Sequence, residues 1–97
     1  MKILHLNLKR KWFEDVKNGL KPEEFRLVSD YWKKRLEGKD YDLIYVKLGY
    51  PAKDDWSRIL IFKWKGYRTI EIAHQEFDGK AKVYAINLTE RLKCRLI

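Results

Sequence analysis

Cysteine occurs once in these 97 residues, at Cys94. A single thiol excludes an intrachain disulfide and a cysteine-based zinc site. In Leu92-Lys93-Cys94-Arg95-Leu96-Ile97 the alternation reads as a packed, inert thiol rather than a nucleophile. Histidine is almost as scarce: His5 and His74 have no metal-ligand spacing between them, so no metal is expected. No apolar run approaches the roughly 18 residues that a membrane span needs. The opening Met-Lys-Ile-Leu-His-Leu-Asn-Leu-Lys is too short in its apolar part for a signal segment and has no small-residue cleavage site, which leads to the expectation of a cytoplasmic protein. There is no Ser-His-Asp arrangement, no phosphate-cradling glycine loop and no dinucleotide fingerprint, and no cofactor is implied. Repeats, low-complexity stretches and linkers are also missing, so residues 1–97 read as one domain.

Positive charge, by contrast, is abundant. Lys and Arg number 22 against 14 Asp and Glu, a net +8, while apolar residues make up 45% of the chain. That much apolar content supports a folded core. The charge favours a phosphate-bearing partner, since basic surfaces bind polyanions by releasing counterions. The alternative is that the charge only keeps the protein in solution. An anionic membrane surface is the weaker option, because no long basic amphipathic helix is visible.

Along the chain, Leu4, Leu6 and Leu8 alternate with His5 and Asn7 and predict a first strand. From about residue 10 to 18 the period becomes helical, with Trp12, Val16 and Leu20 one turn apart and Phe13 beside them. Gly19 can end this helix and Pro22 forbids its continuation. Residues 23–28 form a second strand, with Phe25 and Leu27 expected on its buried face and Glu24 and Arg26 together on the other. Ser29 or Asp30 caps a short helix, Tyr31-Trp32-Lys33-Lys34-Arg35-Leu36, closed by Gly38. Leu43–Leu48, residues 57–65, Arg68–Ala73 and Val83–Leu88 read as further strands, and residues 92–97 as a short last one. Two helices with about five or six mostly antiparallel strands suggest an α+β fold whose sheet curls into a small β-barrel.

The densest chemistry lies at Gly19-x-Lys21-x-x-Glu24-x-Arg26. A carboxylate and two cations converge there at the mouth of a sheet, an arrangement suited to a phosphate or a nucleobase. Tyr31-Trp32-x-x-Arg35-Leu36 follows directly, and Gly49-Tyr50 comes after the central strand. These segments resemble the signature of the ASCH domains of the PUA-like superfamily. The likeness covers the first half of the chain in residues and the second half mainly in strand order. It implies a small barrel with a cleft beside the signature strand, and RNA or a nucleotide as ligand. It also implies, for some members, ribonuclease activity or amidohydrolase activity on acetylated pyrimidine nucleosides. The family's motif lysine corresponds to Lys21. In the amidohydrolase branch a threonine stands where this chain has Glu24, together with a glutamate on a later strand, for which Glu71 is the nearest candidate.

On the residues themselves, Lys21 reads as a cation for phosphate or a developing oxyanion, a role that the neighbouring carboxylate favours. Desolvated, it would instead serve as base or nucleophile. The bland alternative is a solvated turn lysine. Glu24 is a candidate acid or base and Arg26 a bidentate grip, against the alternative of a plain ion pair. Trp32 is expected in the core, with Tyr31 and Arg35 facing the cleft and Tyr50 a stacking candidate. Lys9-Arg10-Lys11 and Lys33-Lys34-Arg35 suit backbone phosphates or simply solvated helix faces. Three readings result: an RNA- or nucleotide-binding module, a small hydrolase using Lys21 and Glu24, and a non-catalytic protein-interaction adaptor. The adaptor ranks last because no exposed apolar patch is evident in the sequence.

Overall fold

A computed structural model of the chain describes residues 1–74 and 79–92. Two helices and seven strands alternate early and then run strand after strand. The order is β1 (Ile3–Leu8), α1 (Arg10–Lys17), β2 (Glu23–Leu27), α2 (Asp30–Leu36), β3 (Leu43–Leu48), β4 (Ile59–Lys63), β5 (Tyr67–His74), β6 (Gly79–Asn87) and β7 (Arg91–Leu92). A 3₁₀ turn, Trp56–Arg58, occupies the start of the stretch expected to be one long strand before β4. Of the expected last strand only the beginning is described; Cys94 lies outside the described residues, as does Asp78 of the expected Asp78-Gly79 turn.

The strands form two sheets, β1-β3-β4-β7 and β2-β6-β5. Only the β1–β3 pairing is parallel. Parallel neighbours need a long crossover, and the segment carrying α1, β2 and α2 supplies it. Among the described residues no strand pairing joins the two sheets.

Period-two alternation explains the core. Leu4, Leu6 and Leu8 from β1, Ile44 and Val46 from β3, and Leu60 and Phe62 from β4 all point inward. They meet Tyr84 and Ile86 of β6, Phe13 and Val16 of α1, and Leu36 of α2. α1 ends in a Schellman turn: the Leu20 amide donates to the Asp15 carbonyl and the Gly19 amide to the Val16 carbonyl. This turn needs φ of +75° at Gly19, a conformation in which a Cβ is strained. In α2 the Ser29 hydroxyl accepts the Trp32 amide, so Ser29 is the cap.

Two expectations about side-chain direction are corrected. The buried stripe of α1 runs through Phe13 and Val16, whereas Trp12 is 44% exposed and Leu20 more so. The second correction concerns β2. Its buried residue is Glu24, at 5% exposure, while Phe25 (40%) and Leu27 (43%) face outward. The register is the cause: Glu24 pairs with Ile86 and Arg26 with Tyr84, both inner-face residues of β6. Phe25 and Leu27 pair instead with Ala85 and Val83 and help cover them on the outer side. Phe25 and Leu27 thus leave apolar surface on this outer side that the sequence did not reveal.

Candidate functional site

The Schellman turn and Pro22 bring Lys21 back over the start of β2. Its ammonium contacts Glu24 Oε1, and Arg26 Nη2 lies 2.8 Å from Glu24 Oε2. One buried carboxylate is thus clamped between two cations whose side chains are 19% and 21% exposed. The clamp makes an inward-facing glutamate tolerable, because a buried carboxylate needs both charge compensation and hydrogen bonds.

Arg26 does more than pair. Its Nη2 also donates to the Asn7 carbonyl at 3.2 Å, so one guanidinium spans from β2 to the edge strand of the other sheet. Asn7 in turn donates its side-chain amide to the Gly49 carbonyl at 2.6 Å. This second bond holds the turn that presents Tyr50, which is 93% exposed. Arg26 Nε is buried and has no hydrogen-bond partner among the described residues. A buried N–H left without an acceptor is costly, and such groups are rare in folded proteins.

Aromatic rings flank both cations. Lys21 Nζ is 5.5 Å from the Trp12 ring centre and 5.6 Å from that of Phe25. Arg26 Cζ is 5.0 Å from the Trp32 ring, Trp32 meets Tyr31 edge-on at 5.1 Å, and Arg35 Cζ lies 3.4 Å from the Tyr31 ring. The result is an alternating row of Trp12, Lys21, Glu24, Arg26, Trp32, Tyr31 and Arg35. The two contacts of Glu24 are ion pairs, and the ring contacts lie within cation–π or edge-to-face range.

Lys21, Glu24 and Arg26 come together in contact, and Tyr31 and Arg35 continue the row. Trp32 packs against the core on one side and beneath Arg26 on the other. Tyr50 reaches the group only through the Asn7 bonds. Glu71 is elsewhere: it pairs with Lys82, four positions along β6 from the Ile86 partner of Glu24. At about 3.3 Å per strand residue that offset alone is roughly 13 Å. Beyond Leu27, β5 and β6 continue as a two-stranded ribbon, and Glu71 rides on it. Of the two basic clusters, Lys9, Arg10 and Lys11 are exposed on or beside α1, with Arg10 paired to Glu14 at 3.9 Å. Lys33 and Lys34 are exposed on α2. No group of three potential metal ligands occurs among the described residues, nor any helix long and apolar enough to cross a membrane.

Asn7 and Trp12 were not among the sequence candidates. Asn7 had one usable signal, an amide among the outward positions of a Leu-x-Leu-x-Leu strand. Trp12 had a misleading one, its helical spacing with Val16. Comparison of the chain with protein-family models, curated proteins and solved structures finds no match.

Proposed function

We propose that this protein binds single-stranded RNA or a nucleotide at the Lys21–Glu24–Arg26 clamp and the rings beside it, as an ASCH-type module of PUA-like architecture. The observation that carries the reading is the row of cations and aromatic rings around a buried carboxylate. Bases stack on rings and phosphates pair with Arg and Lys, and single-strand binders combine the two. Lys21 and Arg26 serve the phosphate, Glu24 holds both cations in place and can accept a base amino group, and Tyr31 and Arg35 line the approach.

Fluorescence anisotropy with a labelled single-stranded RNA at low salt tests this. The expected result is saturable binding that Lys21→Ala weakens about tenfold and that Tyr31→Ala also weakens. Absence of binding at low salt overturns it.

The direct Lys21–Glu24 contact favours a second reading, a hydrolase of RNA or acylated nucleosides in which Lys21 stabilises developing negative charge and Glu24 acts as acid or base. A substrate panel decides, and turnover that survives both Lys21→Ala and Glu24→Gln excludes that mechanism. An adaptor with an idle site would also pair off its three charges. The net charge of +8 and the rings beside the cations favour a ligand instead.

A further inference from the structure

The outer face of the four-stranded sheet carries a separate hollow of about 130 Å³. β1 and β3 alternate, so while Leu4, Leu6, Ile44 and Val46 enter the core, His5, Tyr45 and Lys47 point to the opposite side. His5 and Tyr45 are register partners, and their rings meet edge-on at 5.6 Å. Tyr45 is braced from behind by Trp56 of the 3₁₀ turn, at 6.0 Å and again edge-on. The segment after Gly49 closes one side with Pro51, Ala52 and Lys53, and Ile59 completes the wall. That segment is fixed at its start by the Asn7 side chain, which holds the Gly49 carbonyl.

The hollow has a definite chemistry. Most of its wall is ring and aliphatic surface, yet two lysines stand in it and no carboxylate does. Neither Lys47 nor Lys53 forms an ion pair among the described residues. Two like charges beside one small hollow repel each other unless an anion sits between them. His5 adds a polar group: burial, reinforced by the Lys47 charge, lowers its pKa, so at pH 7 the imidazole is neutral and offers one donor and one acceptor. A closed cavity of roughly 150 Å³ admits a benzene-sized ring; this hollow, about 130 Å³ and open to solvent on one side, seats part of a flat ring whose anionic group stays at the rim, where Lys53 is exposed.

We propose that this hollow is a second ligand site, distinct from the Lys21–Glu24–Arg26 clamp. It takes a small organic oxyanion, with the phosphate or carboxylate held by Lys47 and Lys53 and a flat apolar ring laid against Tyr45, Pro51 and Ile59. His5 donates to the oxyanion from the side.

The experiment is a ¹H–¹⁵N NMR titration of the whole protein at pH 7 with phenyl phosphate, benzoate and the neutral analogue benzyl alcohol. The expected result is saturable shifts of the His5, Lys47, Ala52 and Lys53 amides with one or both anions, at least tenfold tighter than with benzyl alcohol. Which anion binds more tightly identifies the phosphate or the carboxylate as the natural group. Lys47→Gln and Lys53→Gln together weaken the anion at least tenfold, and an otherwise unchanged amide spectrum shows that the fold is kept. Three outcomes overturn the proposal: no saturation at millimolar ligand, shifts centred on Lys21 and Arg26 instead, or equal affinity for benzyl alcohol.

Discussion

At the scale of single residues, Glu24 decides the character of the proposed site. It is buried, and both of its oxygens are engaged by cations. Glu24→Gln removes the negative charge and leaves Lys21 and Arg26 facing each other. Breaking a fully buried ion pair from one side costs about 3–5 kcal/mol, and partial exposure of the two cations reduces this to roughly 2 kcal/mol. Urea denaturation of Glu24→Gln is expected to show that loss, and an unchanged midpoint would mean that the clamp contributes no net stability. The same residue marks where the sequence stops being readable. The alternation of Glu24, Phe25, Arg26 and Leu27 is plain, so the convergence of Glu24 with Arg26 was legible. Which side of β2 faces the core was not. Hydrophobicity alone puts Phe25 and Leu27 inside, and only the clamp and the Arg26–Asn7 bond make the opposite phase acceptable.

At the scale of elements, the apolar periods of β1 and β4 could be read directly and the N-cap of α2 narrowed to Ser29 or Asp30, because these strands have one strongly apolar face and few residue types cap a helix. The seam between elements could not, since it is made by polar groups distant in sequence. Tyr84 of β6 is one of these: its hydroxyl donates to Glu37 Oε2 at 2.6 Å, tying the sheet to the end of α2. Burial, aided by the Glu37 carboxylate, pushes its phenol up to about 12. An unfolded tyrosine titrates near 10. Between these values the unfolded chain releases the proton while the folded chain keeps it. Stability from this group is therefore complete below about pH 10 and is lost as pH rises toward 12. Thermal melts from pH 9 to 12 should show a steep decline that becomes shallower in Tyr84→Phe. Tyr41, whose pKa is also raised by burial, keeps the variant's profile from becoming flat. The helix end gives a second test. Nothing lies within 4 Å of a Cβ placed on Gly19, so Gly19→Ala meets only backbone strain. A loss of about 1 kcal/mol in chemical denaturation is expected.

At the scale of the whole molecule, the net charge is +8, and the proposed RNA binding makes a definite prediction about salt. If RNA engages Lys21, Arg26 and Arg35, about three phosphates are neutralised. The logarithm of the binding constant should then fall with the logarithm of salt at a slope near −2, from roughly −0.7 per phosphate on a single strand. Lys21→Ala should reduce that slope by about 0.7, while Tyr31→Ala should weaken binding and leave the slope unchanged. Anisotropy titrations between 50 and 200 mM salt, a range in which such losses are large, separate the two effects.

The reach of Arg26 across to the Asn7 carbonyl has a mechanical meaning as well. No strand ladder fastens β1 to β2 among the described residues; alongside the apolar core shared by the two sheets, this guanidinium is a polar tie between them. If a ligand at the proposed site drew this guanidinium away from the Asn7 carbonyl, the Asn7–Gly49 bond beside it would be the next to loosen, and faster amide exchange near Gly49 in the loaded protein is the expected result.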